Sequence, residues 1–388
     1  MTRTLLVSLV TLGDPGRLTG GYLYHRRMAE LAPEHGAELR FVSVPERPFP
    51  LPALAGRKVL RRALRPARSA PPATPAPRAA PADGADGPAG GGRADVVVLD
   101  SIAAAFLGPW LALERLPVPL VGSLHQPPGG IDHGPVRRAA QAPLDRLAYG
   151  RAALLLVASQ ALAEQVGAAG LPAGRILVVP PGRDVAAARG APAGDLRQGR
   201  RAALLCVANW IGRKSILETL EALARLDPGT ATLHLAGDDR ADPLYAAMVR
   251  ARLSRPDLAG RVVVHGPLPV EAIAALYQAA DVFVLPSVRE PYGTVWGEAM
   301  AAGLPVVGWR AGNLPHLAGE GEALLVPPGD VEGLSRALAL LAGDEPLRRR
   351  MGEAARRRAS DRPTWRDSAA RFFGALREAA QGPRGERR

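Results

Sequence analysis

The densest chemistry lies between Leu285 and Val307, in the run Leu-Pro-Ser-Val-Arg-Glu-Pro-Tyr-Gly-Thr-Val-Trp-Gly-Glu-Ala-Met-Ala-Ala-Gly-Leu-Pro-Val-Val. An apolar strand over 281–285 stops at Pro286. A loop shaped by Pro291 and Gly293 follows, and Thr294 is placed to cap a helix over 294–302. The amides at such a helix start, together with its dipole, favour a phosphate. Glu290 precedes the helix and Glu298 lies about one turn inside it. A carboxylate accepts hydrogen bonds from two hydroxyls. Glu290 is therefore suited to the sugar end of a ligand and Glu298 to its nucleoside end. On spacing alone, two solvated acids placed for the helix dipole fit as well.

A second candidate is Lys214, in Val207-Ala208-Asn209-Trp210-Ile211-Gly212-Arg213-Lys214-Ser215. A strand ends there and delivers the lysine to the start of a helix over 215–226. A cation is unfavourable at that end unless an anion lies between, so a diphosphate suits it; a solvated surface cation is the plain alternative. Lys58 and Lys214 are the only lysines among 49 basic residues, which argues that a compact ammonium is wanted here. Arg213 is next to it, but adjacent side chains rarely point the same way. In the first half, Gly20 and Gly21 follow the first strand within Thr19-Gly20-Gly21-Tyr22. They either let a ligand approach the backbone or make a simple turn. His125 stands just past a strand over 118–123 and so faces the strand's carboxyl edge. Grouping it with Asp132 and His133 as metal ligands has nothing to fix its geometry.

These residues all sit where apolar runs end. Strands are expected at 4–10, 38–44, 95–100, 118–123, 153–158 and 175–180, then at 202–208, 231–236, 261–265, 281–285, 304–308 and 323–326. Helices are expected at 21–35, 135–149, 215–226, 243–255, 269–279, 294–302, 331–342, 345–359 and around 365–380. Short apolar runs alternating with helices give parallel sheets with crossover helices. Two such sets make an α/β protein of two doubly wound domains, 1–183 and 201–363, with a linker over 184–200 and a final segment over 364–388. Ligands in such sheets bind at the carboxyl ends of the strands, so the sheets should face a central cleft. Residues 66–94 carry almost no large apolar side chains and are expected to be a disordered insertion.

Composition narrows the function. The single cysteine, Cys206, excludes a disulfide framework and a cysteine zinc site; its apolar setting predicts a buried thiol. The net charge of +12 is almost all arginine in an Ala-, Gly- and Pro-rich chain, a coding bias that weakens a nucleic-acid reading. No Gly-x-Gly-x-x-Gly fingerprint occurs. No apolar run reaches the ~18–20 residues of a membrane span, and 4–10 reads as a strand rather than a leader, so a cytoplasmic protein is expected. Arg348–Arg350, Arg356–Arg358, the tail after Arg384, and Arg137, Arg138 and Arg146 read as solvated faces or as peripheral contacts to an anionic membrane. Asp238, Asp239 and Asp242 read as a solvated loop with a helix cap.

The Glu-x7-Glu spacing, followed by Ala-Met-Ala-x-Gly-x-Pro-Val-Val, resembles the signature of retaining glycosyltransferase family 4, whose fold is GT-B. Gly312-Asn313-Leu314-Pro315, Leu325-Val326-Pro327-Pro328-Gly329-Asp330 and Val178-Val179-Pro180-Pro181-Gly182-Arg183-Asp184 resemble the same family. The similarity covers most of the chain and is strongest over 152–358. It implies two Rossmann-like domains, the first facing the acceptor and the second the donor, with the last helix crossing back to the first. It also implies a nucleotide diphosphate sugar donor, a glycan, lipid or small-molecule acceptor, retention of configuration, and neither metal nor cofactor. It puts the donor sugar on Glu290 and His125, the ribose on Glu298, and the diphosphate on Lys214. Gly20 and Gly21 would lie beside the phosphates. The loop from Pro291 through Tyr292, Gly293, Thr294 and Val295 would hold sugar and diphosphate by its amides. Asn209 stands where the family has an arginine, Ser215 where it has a glycine, and His316 where a glutamate is common. Rival readings are a GT-B phosphorylase or epimerase and a non-catalytic scaffold subunit; Asn209 and His316 favour the last.

Overall fold

The computed structural model describes residues 3–16, 20–65, 93–183 and 194–382. Thr19, Asp184, most of the expected insertion, linker positions 184–193 and the basic tail beyond 382 lie outside them. The chain divides into two compact units, one of Met1–Ala158, Leu162–Val179 and Arg366–Arg388, the other of Ser159–Ala161 and Pro180–Trp365.

In the first unit the strands are β1 (Leu5–Leu12), β2 (Ala37–Val44), β3 (Val96–Asp100), β4 (Leu120–Leu124), β5 (Leu154–Val157) and β6 (Ile176–Val178). They form one parallel sheet in the order β2-β1-β3-β4-β5-β6. The central β3 and β4 are buried at every residue, as strands covered on both faces must be. The helices are α1 (Gly20–Leu31), α2 (Gly56–Leu64), α3 (Ala104–Leu113), α4 (Pro135–Gly150) and α5 (Gln160–Ala168). Close packing of α3 on α4 needs Gly108, because a Cβ there would lie 2.2 Å from the Leu144 carbonyl oxygen. Residues after Trp365 belong to this unit: Phe372 meets Tyr24 edge-on, Phe373 stacks on His35, and Arg377 donates to the Gly36 carbonyl at 3.0 Å.

The second unit carries β7 (Ala202–Val207), β8 (Ala231–Ala236), β9 (Val262–Gly266), β10 (Val282–Val284), β11 (Val306–Trp309) and β12 (Ala323–Val326). All are parallel, in the order β12-β11-β10-β7-β8-β9. This is the Rossmann order, and its direction reverses between β7 and β10. Around the sheet lie α6 (Ile216–Ala224), α7 (Pro243–Leu253), α8 (Val270–Ala279), α9 (Thr294–Ala302), α10 (Leu314–Leu317), α11 (Val331–Gly343) and α12 (Glu345–Ser360); α13 (Trp365–Gln381) follows. Asp242, Asp330 and Asp344 accept from backbone amides three residues on and so cap α7, α11 and α12. Cys206 is buried in this core, and burial pushes its thiol up to about 12.

Two readings change. Residues 194–200, taken as the end of a linker, are fastened to the second unit: Leu196 is in its core, and Arg197 pairs with Asp281 at 2.6 Å while Asp281 accepts from the Ala203 amide at 2.8 Å. Among the late arginines, Arg348 is buried rather than solvated, and the exposed Arg356 still bonds a helix end. Arg348 is 7% exposed and donates to the Leu341 and Ala342 carbonyls, and Arg356 donates to that of Ala302. Each satisfies carbonyls that a helix end leaves open.

Candidate donor site and a buried histidine cluster

At the reversal of strand order in the second unit, the loops after β7 and β10 are tied side by side. The Val288 amide and the Ser287 hydroxyl each donate to the Arg213 carbonyl at 3.0 Å, and Arg213 Nη1 donates to the Arg289 carbonyl at 3.0 Å. The chain turns through a 3-10 segment at Gly212–Lys214 into Ser215, which is left-handed at φ 53°. A non-glycine residue there costs about 1–2 kcal/mol. The Ser215 hydroxyl receives the Trp309 indole N–H at 3.3 Å and its carbonyl receives the Thr219 hydroxyl at 3.0 Å, which offsets that cost. Ser215 thus holds a left-handed conformation that a glycine would adopt freely.

This turn makes neighbouring side chains converge. Lys214 Nζ and Arg213 Nη1 both donate to Glu290 Oε2, the arginine at 3.1 Å. All three are largely shielded, with side chains 12–15% exposed. The expectation that Arg213 would point away from Lys214 is corrected: a 3-10 turn ending in a left-handed residue does not splay adjacent side chains as a strand does. Glu290 is also held through its backbone, whose carbonyl accepts from the Asn313 amide at 3.0 Å. Gly312 makes that approach possible, since a Cβ there would lie 2.9 Å from the Glu290 nitrogen. Asn313 Nδ2 donates to the Tyr292 carbonyl at 2.9 Å, so Asn313 pins the loop at two points.

Helix α9 starts differently from expectation. Gly293 is the N-cap at φ 84°, and no side chain caps the helix; Thr294 is its exposed first residue. The Trp296 ring lies over the cap, where any Cβ would sit 2.1 Å from it, so only glycine fits. Within the helix the first donors are the Trp296 and Gly297 amides, to the Gly293 carbonyl. The Thr294 and Val295 amides precede that ladder, as the first amides of any helix do. Pro291 lies in this loop two residues ahead of the cap. The Tyr292 side chain is spent on structure: its hydroxyl donates to the Pro181 carbonyl at 2.8 Å and receives Arg362. Glu298 accepts from the buried Tyr277 hydroxyl at 3.1 Å, and burial beside that carboxylate pushes the phenol well above 10. Asn209 is exposed past β7, and its Oδ1 accepts the Asp238 amide at 3.2 Å, joining the loops after β7 and β8. His316 is exposed on α10.

In the first unit, strand order reverses between β1 and β3, again the expected ligand position. Thr11 of β1 donates to Asp100 Oδ2, at the end of β3, at 2.7 Å. His25 on α1 places Nδ1 3.4 Å from that oxygen and Nε2 3.2 Å from Ser123 Oγ of β4. His125 completes the row, its Nε2 3.1 Å from that of His25 and its amide donating to Ser101 Oγ at 3.2 Å. Tyr24 meets the His125 ring edge-on, and a Cβ on Gly21 would touch it at 3.5 Å; Gly20 has open space there. The structure thus brings Gly21 and His125 together. Asp100, His25, Thr11 and Ser123 were not singled out from the sequence. The helical offset of four between Gly21 and His25 was the available signal. Among the described residues, no group of three or more His, Cys, Asp or Glu side chains is placed to hold a metal ion.

Burial pushes both imidazoles down to about 3 from an ordinary 6.5, with the neighbouring His25 adding to the shift of His125. The folded chain therefore binds fewer protons than the unfolded one between those values. This contribution to stability is full above pH 6.5 and is lost as pH falls toward 3, at up to about 1.4 kcal/mol per pH unit for each ring. Asp100, raised by the same burial, acts in the opposite sense. Denaturant unfolding at pH 7 and pH 5 should therefore show a flatter pH dependence in the His25→Gln/His125→Gln double variant than in the parent.

The description "Glycosyl transferase 4-like domain" matches residues 7–182, and "Glycosyl transferases group 1" matches residues 194–358. The chain is also similar to the GDP-mannose-dependent alpha-(1-6)-phosphatidylinositol monomannoside mannosyltransferase of Mycolicibacterium smegmatis. The two are 30% identical over 299 residues, which is 71% of this chain and 75% of that protein. The chain belongs to the group 1 glycosyltransferases. The D-inositol 3-phosphate glycosyltransferase of Corynebacterium diphtheriae is 40% identical over 124 residues, 32% of this chain and only 29% of that protein. In fold, this group 1 glycosyltransferase is similar to the sucrose-phosphate synthase of Thermosynechococcus elongatus, with a TM-score of 0.76, 19% identity, and coverage of 96% of this chain and 98% of that one. The architecture is GT-B.

Proposed function

We propose that this group 1 glycosyltransferase moves a sugar from a nucleotide diphosphate sugar to an acceptor, with retention of configuration and without a metal. The observation that carries the reading is the convergence of Lys214 and Arg213 on Glu290 at the reversal of strand order. Two cations against one carboxylate leave this cluster net positive, beside the helix start at Thr294. Ammonium, guanidinium and oriented amides can take up the charge that develops on a departing diphosphate. Glu290, already fixed through backbone and side chain, would orient the sugar and stabilise it as the leaving group departs. The acceptor would then attack on the face the diphosphate leaves. Glu298, steadied by Tyr277, would meet the ribose, and His125 the sugar.

Calorimetric titration with UDP, GDP, UDP-glucose and GDP-mannose tests the donor class. Binding of one nucleotide family, with transfer that survives EDTA, is the expected result. Failure of all four to bind would favour the scaffold reading instead. The relatives' names make an inositol phosphate or a phosphatidylinositol mannoside the first acceptors to try.

A lipid acceptor would bring the first unit to a membrane surface, and one face suits it. Leu54, Leu113 and Val136 are 75%, 80% and 84% exposed. Around them lie the exposed Arg57, Lys58, Arg61 and Arg62 of α2 and Arg138 of α4. The segments that carry them are neighbours: Trp110 donates to the Ala53 carbonyl, Arg57 pairs with Glu114 and Arg137 stacks on Phe49. Apolar side chains ringed by cations fit an anionic interface. Sedimentation with phosphatidylglycerol vesicles should capture the protein and phosphatidylcholine vesicles should not. Leu54→Glu/Leu113→Glu is expected to weaken capture by about tenfold or more. Among the described residues, no helix is long and apolar enough to cross a membrane.

A further inference from the structure

The buried row in the first unit constrains protons more tightly than a single histidine could. Asp100 receives three donors: the Thr11 hydroxyl at 2.7 Å, and the Ser101 hydroxyl and Ile102 amide at 3.3 Å each. These hydrogen bonds oppose the burial that raises the Asp100 carboxyl and favour its ionised, acceptor form. Its Oδ2 stands 3.4 Å from His25 Nδ1, with both side chains buried; the contact lacks the geometry of a hydrogen bond and Nδ1 has no other partner, so it is the charge of the carboxylate that favours the proton of His25 on Nδ1. A bare Nδ1 there would set two lone pairs against each other with no water to intervene. A neutral imidazole has one N–H, which leaves His25 Nε2 as an acceptor. Its neighbours are Ser123 Oγ at 3.2 Å and His125 Nε2 at 3.1 Å. Two nitrogen lone pairs at that separation would repel, so the proton between the rings comes from His125.

We infer that Asp100 and His25 are positioning residues that fix His125 as its Nε2–H tautomer, leaving Nδ1 as a hydrogen-bond acceptor. The neutral state of both rings, which burial enforces, is what makes the relay single-valued: a second proton anywhere in the row would break it. Resting on the reading of His125 as a contact to the donor sugar, the consequence is chemical. His125 Nδ1 accepts a hydrogen bond from a sugar hydroxyl and does not donate to the glycosidic oxygen. His25 and Asp100 act only through it.

The test uses the full chain labelled with 15N-histidine and long-range 1H–15N correlation spectra, with His125→Gln identifying the His125 signals. The expected spectrum has His125 protonated on Nε2 and bare on Nδ1. Asp100→Asn presents an amide donor to His25 and is expected to reverse both tautomers. With UDP-glucose and GDP-mannose as donors, it should lower kcat by about tenfold or more, with KM changed by less than about threefold. His25→Gln keeps a carbonyl acceptor for the His125 proton and should retain the tautomer and most of kcat; His25→Leu should lose both. Wild-type His125 protonated on Nδ1, or an unchanged tautomer in both Asp100→Asn and His25→Leu, overturns the inference. The expected tautomers together with full turnover in His125→Ala would keep the relay and remove the sugar contact on which its catalytic meaning rests.

Discussion

Glu290→Gln is expected to lower kcat by about 10²–10³-fold, the scale of losing one preorganised polar group at a reacting centre, while nucleoside diphosphate binding holds or tightens. The split follows from the cluster. Glu290 Oε2 is the shared acceptor of Lys214 and Arg213, so its carboxylate offsets positive charge that a diphosphate would otherwise meet. Neutralising it frees that charge for UDP or GDP, but takes away the group proposed to orient the sugar. Glutamine retains an acceptor of the same length, so the Asn313 and Arg213 backbone ties should stay in place. Glu290→Ala is the harsher case, because it leaves two shielded cations facing each other, and a stability loss of about 1–3 kcal/mol is expected. The measurement pairs calorimetry with UDP and GDP against turnover of UDP-glucose and GDP-mannose, with thermal unfolding alongside. Turnover within about threefold of the parent, in a folded Glu290→Gln protein, would remove Glu290 from the mechanism.

How much of this was legible depends on whether a feature is local. Continuous apolar runs such as Ala202–Val207 and the Val-Val-Val-Leu that opens Val96–Asp100 fit strands covered on both faces of a parallel sheet, so strands, sheets and fold class followed from pattern. Strand β10 is shorter than expected, at Val282–Val284, although the Asp281 and Leu285 amides at its ends still donate to the Ala203 and Val307 carbonyls of the neighbouring strands. The Thr294 cap failed because, though its residue type is favourable, the Trp296 ring claims the space at position 293. That Lys214 and Glu290 stand on loops at one sheet edge was legible, though not that they pair directly. The joining of Arg213 to them was not, since it depends on the left-handed turn at Ser215. The Asp100–His25–His125 row links residues 75 and 100 positions apart. No periodicity reports such a contact, and only the sheet order brings β1, β3 and β4 together around α1.

Lys214→Met should produce the largest loss, about 10³-fold in kcat/KM, because it strikes donor binding and leaving-group stabilisation together. Methionine keeps the unbranched stem that threads between the loops and deletes only the charge. The ammonium stands two residues ahead of α6 and on Glu290, a position from which it can pass from carboxylate to phosphate without moving the backbone. Affinity for UDP or GDP should weaken by about tenfold or more, close to 1.4 kcal/mol. Lys214→Arg separates charge from shape. Arg213 already supplies a guanidinium at this turn, donating to both the Arg289 carbonyl and Glu290, and a second planar fork cannot occupy the compact site of an ammonium. Lys214→Arg is therefore expected to recover less than about a tenth of the lost kcat/KM. Recovery close to the parent would mean that net charge alone matters here, and that the retained lysine carries no positional role.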